Sequence, residues 1–383
     1  MKIAMIGTKG IPAKWGGIEK YVQEISTRLA DRGHEVSVYG SRWFLKDYRS
    51  SVYQGVRILR VPAIRWQATD ALSNGLFSVM SVAIKRYNVV HFHGYASYFF
   101  APIVRRMGIK TVVTAHGFES GWVNPKYGAI ARYVIKKGYE TGIRYASCIT
   151  SVANHVSDKI KSHYDVNAEV IGSGIDSPKR RSPNIIKEKY GLQGRDYILF
   201  LGRIDPIKRI DWIVDVAAAQ GNGAMYVIAG GTQNKETEKY YAGLKGQAER
   251  NGTRVIFTGP VEGEEKFELL SNCRIFVAPS QDEGLPIALL EAMSYGCVCV
   301  ASGIPAHREV IANEISGYLF KSNDKDHFSE MLMNVQRQPL RHLAKVAARA
   351  KQHVDEKYNW DKAAERFEKI YSDLIASDEG KRS

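Results

Sequence analysis

The chain has 383 residues, of which 44% are hydrophobic, and 54 Lys and Arg against 40 Asp and Glu give a formal net charge of +14. This composition is typical of globular proteins and excludes disordered and fibrous classes. Because one hydrophobic core stops growing at about 250–300 residues, the length predicts two domains. The longest apolar stretch, residues 72–84, is shorter than the roughly 20 residues that span a bilayer. Four cysteines without a C-x-x-C pair exclude a disulfide scaffold, and the expected compartment is the cytoplasm.

Short β-branched runs alternate with longer segments of helical periodicity along the whole chain. In the first half, strands are predicted at residues 2–6, 35–39, 56–61, 89–93, 111–115 and 148–152, and helices at 17–32, at 127–145 and in a segment ending at 84–86. In the second half, strands are predicted at 197–201, 225–229, 255–258, 275–278 and 298–301, and helices at 209–219, 237–250, 264–271, 286–295 and 326–335. This alternation predicts parallel sheets with right-handed crossovers, in two doubly wound α/β domains.

The domain boundary is expected in residues 177–183, which contain two prolines and three consecutive basic residues and have no apolar residue to bury. We therefore predict an N-terminal domain over residues 1–178 and a C-terminal domain over residues 179–359. Apolar residues at helical spacing then predict a terminal helix at about residues 360–376, which must pack on one of the two domains.

Three segments have the residue types of a binding site, and the first is the glycine-rich segment 7–19. It lies between a predicted strand and a predicted helix, where free backbone N–H groups and the helix dipole favour an anion. It lacks the G-x-G-x-x-G pattern of dinucleotide sites and the G-K-[ST] ending of a P-loop. Gly16 and Gly17 are the candidate anion-binding residues, and the alternative is a plain strand-to-helix turn.

The second segment, residues 202–209, follows the first predicted strand of the C-terminal domain and contains three cations. Arg203 and Lys208 flank a proline turn and can both face the end of that strand, which suits a clamp on a diphosphate. The alternative is a solvated turn whose charges have no ligand.

The third segment, residues 280–292, contains two acids eight residues apart, Glu283 and Glu291. Gly284, Leu285 and a proline predict the beginning of a helix, so Glu283 precedes the helix and Glu291 lies just over two turns along it. Eight residues are about 80° beyond two full turns, which places both acids on neighbouring parts of the helix surface. A carboxylate at Glu291, among apolar residues, needs hydrogen-bond donors. Ligand hydroxyls would supply them, and the alternative is an N-cap acid plus a buried ion pair.

Together these segments resemble the family 4 retaining glycosyltransferases of the GT-B fold, over essentially the whole chain. The matches are the E-x7-E signature at Glu283 and Glu291, the Gly-Arg…Lys element at Arg203 and Lys208, the glycine-rich segment at Gly16 and Gly17, the histidine element at Ala115-His116-Gly117, and residues 170–176. The opening segment 7–19 is also similar to a bacterial rhamnosyltransferase-like subgroup of surface-polysaccharide synthesis.

The resemblance implies two Rossmann-like doubly wound parallel-sheet domains that face a central crevice, with the C-terminal helix crossing back to the N-terminal domain. It implies a nucleotide-diphosphate sugar as donor, bound mainly by the C-terminal domain, and a glycan or lipid-linked acceptor that enters from the N-terminal domain. The implied reaction moves a hexose or deoxyhexose, with rhamnose as one candidate, to an acceptor hydroxyl with retention of configuration in bacterial surface polysaccharide or glycolipid assembly. Neither a metal nor another cofactor is expected, since cations and helix N-termini would neutralise the diphosphate.

The same resemblance assigns roles to individual residues. Those near the reacting atoms would be His116, Arg203, Lys208 and Glu283. Those that hold the donor would be Gly16, Gly17, Arg203, Lys208, Val261, Glu283, Gly284, Leu285 and Glu291. Within this set Arg203 and Lys208 would bind the diphosphate, Glu291 the ribose hydroxyls, and Glu283 the transferred sugar. Two departures from the family pattern, Gly117 after His116 and Ser173 in place of asparagine, concern sugar recognition.

Two other functions stay open at this point: a nucleotide-sugar epimerase on the same fold, and a basic, non-catalytic module that binds a membrane or nucleic acid. No RNA-recognition or helix-turn-helix pattern is present, so a nucleic-acid partner is not expected. The Asp324-x-Asp326 pair is expected to cap a helix rather than to bind a metal, and His91 and His93 are expected to be structural.

The positive charge is concentrated in the first half of the chain. Residues 1–178 contain 24 basic and 12 acidic side chains, whereas residues 179–383 contain 30 and 28. The excess therefore belongs to the predicted acceptor domain and not to the predicted diphosphate site. We expect this domain to contact an anionic membrane, which would make the enzyme peripheral at the inner face.

Overall fold

The computed structural model describes residues 1–13, 16–64, 69–118, 128–175 and 178–382. The chain divides into two compact units, each built on one sheet. Unit 1 comprises Met1–Gly174 and Asn359–Ser383, and unit 2 comprises Ile175–Tyr358. Within the described ranges, no helix has the length and apolarity needed to cross a membrane.

Unit 1 contains an eight-stranded sheet. Its strands are β1 Lys2–Ile6, β2 Glu35–Ser41, β3 Val52–Tyr53, β4 Val56–Val61, β5 Val89–Phe92, β6 Lys110–Ala115, β7 Cys148–Ser151 and β8 Glu169–Val170. Its first five described helices are α1 Gly17–Asp31, α2 Thr69–Lys85, α3 Ala101–Arg106, α4 Ala129–Tyr145 and α5 Asn154–Tyr164, and a 3-10 helix covers Tyr95–Phe100. The strand order is β3-β4-β2-β1-β5-β6-β7-β8, and every pair except β3–β4 is parallel.

Unit 2 contains a six-stranded parallel sheet in the order β11-β10-β9-β12-β13-β14. The strands are β9 Tyr197–Leu201, β10 Met225–Ala229, β11 Val255–Gly259, β12 Ile275–Ala278, β13 Val298–Ser302 and β14 Tyr318–Phe320. The helices are α6 Ile185–Tyr190, α7 Ile210–Gln220, α8 Lys235–Arg250, α9 Gly263–Asn272, α10 Ile287–Ser294, α11 Pro305–Val310, α12 Lys325–Arg337 and α13 Leu340–Lys357. The last helix of the chain, α14 Trp360–Arg382, returns to unit 1.

The sheet of unit 2 is buried on both faces. Successive residues of β9 belong to different cores: Tyr197, Leu199 and Leu201 lie in one cluster, whereas Ile198 and Phe200 lie in the other. Apolar side chains at every position of a strand are what a parallel sheet between two helix layers requires. The continuous apolar run that predicted this strand therefore has a direct structural cause.

The short edge strand β3 departs from the all-parallel prediction. It pairs with β4 in an antiparallel hairpin, with Val52 opposite Arg57 and Tyr53 opposite Val56. Gln54 and Gly55 form the two-residue turn, and both have positive φ, as tight hairpin turns favour. A strand of two or three residues is too short to produce a sequence pattern, which is also why β8 and β14 were not predicted.

The division between the units lies four residues earlier than the predicted boundary after residue 178. The basic segment predicted as a linker is attached to unit 2, because the Arg181 N–H donates to Ser271 Oγ at 2.9 Å and its carbonyl accepts from Asn272 at 2.9 Å. Hydrogen bonds between the backbone of this segment and side chains of unit 2 hold it, even though it has no apolar side chain to bury. The Ile175 N–H also donates to the Tyr358 carbonyl at 3.0 Å, where the chain leaves unit 2.

Helix α14 packs on unit 1, as the resemblance implied, and runs to Arg382 rather than to about residue 376. Arg28 on α1 pairs with Asp361 at 2.9 Å, and Arg366 donates to the Val170 carbonyl at 2.7 Å. Phe367 and Tyr371 are fully buried. The C-terminal segment is therefore part of the first core.

Replacing Tyr371 with Phe should destabilise unit 1. The Tyr371 hydroxyl lies 2.7 Å from Nδ1 of the fully buried His91. A buried nitrogen that loses its hydrogen-bond partner costs about 1–3 kcal/mol of the free energy of unfolding. Urea unfolding of Tyr371→Phe measures this, with Tyr133→Phe as the matched control because Tyr133 is 62% exposed. Equal stability of the two variants would contradict the prediction.

Candidate functional site

The candidate residues of unit 2 follow the carboxyl ends of its parallel strands. Arg203 and Lys208 follow β9, Val261 follows β11 and Glu283 follows β12. Such ends meet at one edge of a parallel sheet, where ligands of doubly wound folds bind. The Gln281 N–H donates a backbone hydrogen bond of 2.8 Å to the Ile207 carbonyl, which joins the two loops that follow β9 and β12.

Lys208 and Glu283 form a partly buried ion pair at this edge, with the lysine Nζ in direct contact with the carboxylate. The Ser280 hydroxyl donates to the same carboxylate oxygen at 3.0 Å. Burial raises the pKa of Glu283, but the charges of Lys208 and His307 and the hydrogen bonds from Lys208 and Ser280 outweigh it, so the pKa lies below its usual range. Glu283 is therefore ionised and accepts hydrogen bonds only.

Arg203 presents the most exposed charge of the segment that follows β9. Its side chain is 41% exposed, against 15% for Lys208 and 30% for Arg209, and its Nε lies 3.5 Å from Asp205. Arg209 instead pairs with Asp211 at 2.6 Å and lies over the Trp212 ring at 4.5 Å. Of these three cations, Arg203 and Lys208 are the pair that the sequence proposed, and Arg209 has a packing role.

Glu291 is paired with a lysine that the sequence did not suggest. It lies on α10, and its Oε1 is 2.6 Å from Nζ of Lys266 on α9. Ligand hydroxyls were expected to supply its hydrogen-bond donors, whereas the protein itself supplies one. Both acids of the E-x7-E signature are thus in ion pairs, which was the structural alternative for Glu291. A carboxylate has about four acceptor sites, so this ion pair leaves Glu291 able to bind a diol as well.

The remaining donor-site candidates of unit 2 are apolar or small. Val261 and Leu285 are half-buried and pack against the core cluster that also contains residues of β9 and β12. Gly284 lies in the same segment as Glu283 and is half-buried. An apolar border beside charged groups is typical of small-molecule sites.

In unit 1, the end of the glycine-rich segment is adjacent to a carboxylate of the chain itself. Glu19 is 7% exposed and accepts from the Lys9 N–H at 3.1 Å. A Cβ at Gly16, whose φ is +101°, would lie 2.2 Å from Glu19 Oε2. Glycine is favoured here because a φ of +101° strains the backbone of any residue with a side chain. The anion-binding roles of Gly16 and Gly17 stay predictions, and Glu19 would repel a bound anion; residues 14 and 15 of this segment lie outside the described residues.

His116 follows β6 and belongs to a row of three histidines in unit 1. Its Nε2 lies 3.1 Å from His93 Nδ1, and the rings of His93 and His91 are 4.0 Å apart. Burial lowers the pKa of His116 to about 3 and lowers the pKa values of His91 and His93 well below their usual range. All three are neutral near pH 7, so His116 can exchange hydrogen bonds but does not contribute a positive charge.

His91 lies in β5 and His93 directly follows it, and the two side chains have different partners. His91 bonds Tyr371 and Thr114 through its two nitrogens, at 2.7 and 2.6 Å, and is structural as predicted. His93, which was also predicted to be structural, is fully buried, and its Nδ1 lies 3.1 Å from His116 Nε2. Asp324 accepts from the His327 N–H at 3.0 Å and caps α12, which confirms the capping prediction. Among the described residues, no group of three or more His, Cys, Asp and Glu side chains could hold a metal ion.

The neutral histidines predict a loss of stability in acid. An unfolded histidine titrates near pH 6.5, whereas burial lowers the pKa of His116 to about 3. Between these values the unfolded chain binds the extra proton, so the free energy of unfolding falls as the pH is lowered. In His116→Gln this slope should be smaller by at most about 1.4 kcal/mol per pH unit. Urea midpoints from pH 7 to 4 measure it, and the exposed His342→Gln should behave like the wild type. A wild-type slope retained in His116→Gln would contradict the burial of a neutral ring.

Comparisons with known proteins assign both halves of the chain to glycosyltransferases. Residues 15–178 match the model of Glycosyltransferase Family 4, and residues 183–353 match that of Glycosyl transferases group 1. The two matches together take in most of the chain. The chain belongs to the glycosyltransferases of the group 1 and family 4 type.

Individual proteins show the same relation at low sequence identity. An uncharacterized glycosyltransferase of Methanocaldococcus jannaschii is 24% identical over 97% of this chain and 98% of its own length. The UDP-Gal:alpha-D-GlcNAc-diphosphoundecaprenol alpha-1,3-galactosyltransferase of Escherichia coli is 27% identical over 76% of this chain and 77% of its own. The crystal structure of HepE from Anabaena with UDP and glucose has a TM-score of 0.79 at 17% identity, over 97% of this chain and 100% of HepE. This likeness confirms the GT-B class of fold, with two Rossmann-like parallel-sheet domains.

Proposed function

We propose that the protein is a metal-independent, retaining glycosyltransferase that moves a hexose or deoxyhexose from a nucleotide-diphosphate sugar to an acceptor hydroxyl. The observation that carries the proposal is the group of Arg203, Lys208, Glu283 and Glu291, of which the first three lie at the carboxyl edge of the unit 2 sheet and the last on α10. Relatives named for GDP-mannose and UDP-Gal, and a structural neighbour that contains UDP-glucose, support a nucleotide sugar as the donor.

The cations of unit 2 fit the diphosphate of such a donor. Arg203 is exposed enough to bind a phosphate oxygen through its guanidinium. Lys208 is held by Glu283, but an ammonium group has three donors, so it can contact a phosphate at the same time. As the bond between sugar and diphosphate breaks, negative charge grows on the leaving group, and both cations would stabilise it more strongly than in the ground state. No metal ion is needed in this arrangement.

The carboxylates would hold the hydroxyl groups of the donor. Glu283 is ionised and fixed by Lys208 and Ser280, so it would accept hydrogen bonds from the transferred sugar. Glu291, positioned by Lys266, would accept from the ribose diol. The neutral His116 would bond the sugar or the acceptor hydroxyl without competing with the diphosphate cations for charge. We assign no protein nucleophile. The acceptor hydroxyl would attack the sugar on the face from which the diphosphate departs, and the sugar would therefore retain its configuration.

The acceptor proposed is a glycan or lipid-linked glycan of a bacterial surface. Two relatives are named for lipid substrates, a diphosphoundecaprenol-linked sugar and a phosphatidylinositol mannoside. The cytoplasmic face of the membrane, where an activated donor and such a lipid can meet, is the proposed location. Rhamnose is the proposed deoxyhexose, on the similarity of the opening segment 7–19 to the rhamnosyltransferase-like subgroup.

Loss of the proposed donor contacts should weaken nucleotide binding. Hydrogen bonds to charged groups contribute about 1.5–3 kcal/mol, so Arg203→Ala and Glu291→Ala should each raise the Kd for a nucleoside diphosphate at least about tenfold. Calorimetric titration measures this, and Arg341→Ala, an exposed arginine of the same unit on α13, is the matched control. Wild-type affinity in both site variants would overturn the site assignment.

The identity of the donor can be tested with a panel of nucleotide sugars. The cognate donor should stabilise the protein against thermal unfolding, since a ligand at about 100 times its Kd adds about 2.7 kcal/mol. A transferase should also hydrolyse that donor slowly, and a lipid-linked acceptor should accelerate the consumption of the donor. Preference for dTDP-rhamnose is the outcome expected, and preference for a UDP-hexose would exclude rhamnose. Release of an epimerised free sugar without an acceptor would indicate an epimerase instead.

A further inference from the structure

Unit 1 exposes a row of large apolar side chains that none of the proposed chemistry uses. They lie on three neighbouring elements: α2, the stretch from Tyr95–Phe100 into α3, and α4. The exposed side chains are Leu76, Phe77, Met80, Ile84, Phe99, Ile103, Met107, Ile130 and Tyr133. Ile84 and Ile130 have 84% and 82% of their surface in solvent. Scattered apolar residues are normal on a surface, but a contiguous apolar patch marks an interaction site.

The three elements lie side by side, which places these side chains on neighbouring parts of the surface of unit 1. Two glycines show how closely the elements pack: a Cβ on Gly75 of α2 would lie 2.9 Å from Phe100, and one on Gly138 of α4 would lie 2.5 Å from the Tyr95 carbonyl. On α2, residues 76, 80 and 84 follow one another at four-residue spacing, which puts them on one face of that helix. Phe99 lies in the 3-10 helix, Ile103 in α3, and Met107 directly after α3, and all three are exposed.

Cations lie on these elements and next to them along the chain. Residues 71–118 contain no Asp or Glu and have five Lys and Arg. Arg105 and Arg106 are exposed at the end of α3, close in sequence to Ile103 and Met107. Helix α4 adds four cations and one acid, Glu140, which lies 2.7 Å from Nζ of Lys137 and 4.0 Å from Nζ of Lys136. We call the nine exposed apolar side chains, with Arg105, Arg106 and the cations of α4, the apolar–basic face.

This combination fits an anionic lipid bilayer better than other occupants. Cations would contact anionic headgroups, and the apolar side chains between them would enter the boundary with the acyl chains. A second copy of the chain would bring two positively charged faces together in a self-complementary contact, which charge repulsion opposes. Nucleic acid would satisfy the cations but would leave Ile84, Ile130 and Phe99 without an apolar partner.

We propose that the apolar–basic face is a docking surface for a membrane that contains anionic lipids. It lies wholly on unit 1, whereas Arg203, Lys208, Glu283 and Glu291 lie on unit 2. The proposal therefore goes beyond the donor site and does not rest on it. The net charge alone predicts contact with an anionic membrane. The present proposal is more specific, because it requires apolar contact as well as charge.

Co-sedimentation with vesicles tests the apolar part of the proposal. The full chain is mixed with vesicles of phosphatidylcholine alone or of phosphatidylcholine with phosphatidylglycerol. The wild type should bind the anionic vesicles, and Met80→Ser combined with Ile84→Ser should bind them at least about tenfold more weakly. The matched control is Ile315→Ser with Leu340→Ser, two exposed apolar residues of unit 2, which should bind like the wild type.

The charged part is tested by Arg105→Gln with Arg106→Gln. Each cation near an anionic surface contributes about fivefold to binding, whereas Arg341→Gln with Lys345→Gln on α13 should have little effect. Added salt should weaken the binding of the wild type and should not abolish it, because the apolar contacts are not screened. Nucleoside diphosphate binding should stay unchanged in every variant, which shows that the variants are folded and separates this test from the donor site.

Three outcomes would overturn the proposal. The first is no binding of the wild type to anionic vesicles. The second is unchanged vesicle binding in Met80→Ser with Ile84→Ser, which would reduce the contact to net charge. The third is a concentration-dependent dimer in gel filtration that the same double variant dissociates, which would make this face a contact between two copies of the chain.

Discussion

The parallel sheets restrict where this chain can place polar chemistry. A sheet covered by helices on both faces buries every side chain of its central strands, as the alternation of β9 between two cores illustrates. Charged groups are then confined to the loops at the strand ends, where backbone and side chains reach solvent. Arg203 follows β9 and Glu283 follows β12 for this reason, and the neutral His116 likewise follows β6. The candidate residues of each unit thus gather at the sheet edge, although they are far apart along the chain.

Grouping charged side chains at such an edge requires that the carboxylates be paired. Glu283 and Glu291 are both largely removed from solvent, and an unpaired carboxylate there would be costly. Lys208 and Lys266 remove that cost and fix the positions of the carboxylate oxygens before any ligand arrives. In the proposed function, the same ion pairs would preorganise the acceptors for a sugar donor, and little side-chain ordering would be left for the binding step.

Sequence patterns predicted correctly those elements whose signal lies within one short segment. The bounds of β9, β10 and β12 were predicted as the structure has them, because continuous β-branched and apolar runs mark buried parallel strands. Sequence patterns failed where the partner is distant or the element is short. Lys266 is 25 residues from Glu291 on another helix, and His93 meets His116 only because β5 and β6 are neighbours. No spacing in the sequence records either contact.

The excess positive charge lies in the first half of the chain, and exposed apolar side chains accompany it there. Cations attract an anionic surface over about a Debye length, roughly 8–10 Å, and so orient the protein before contact. These cations do not determine how deeply the protein enters the lipid surface, because headgroup charges are diffuse and mobile. Exposed apolar residues act only at contact, and those of unit 1 lie on the same elements as the cations of α3 and α4 or next to them along the chain. Long-range orientation and short-range anchoring on the same face would together hold unit 1 at a lipid surface.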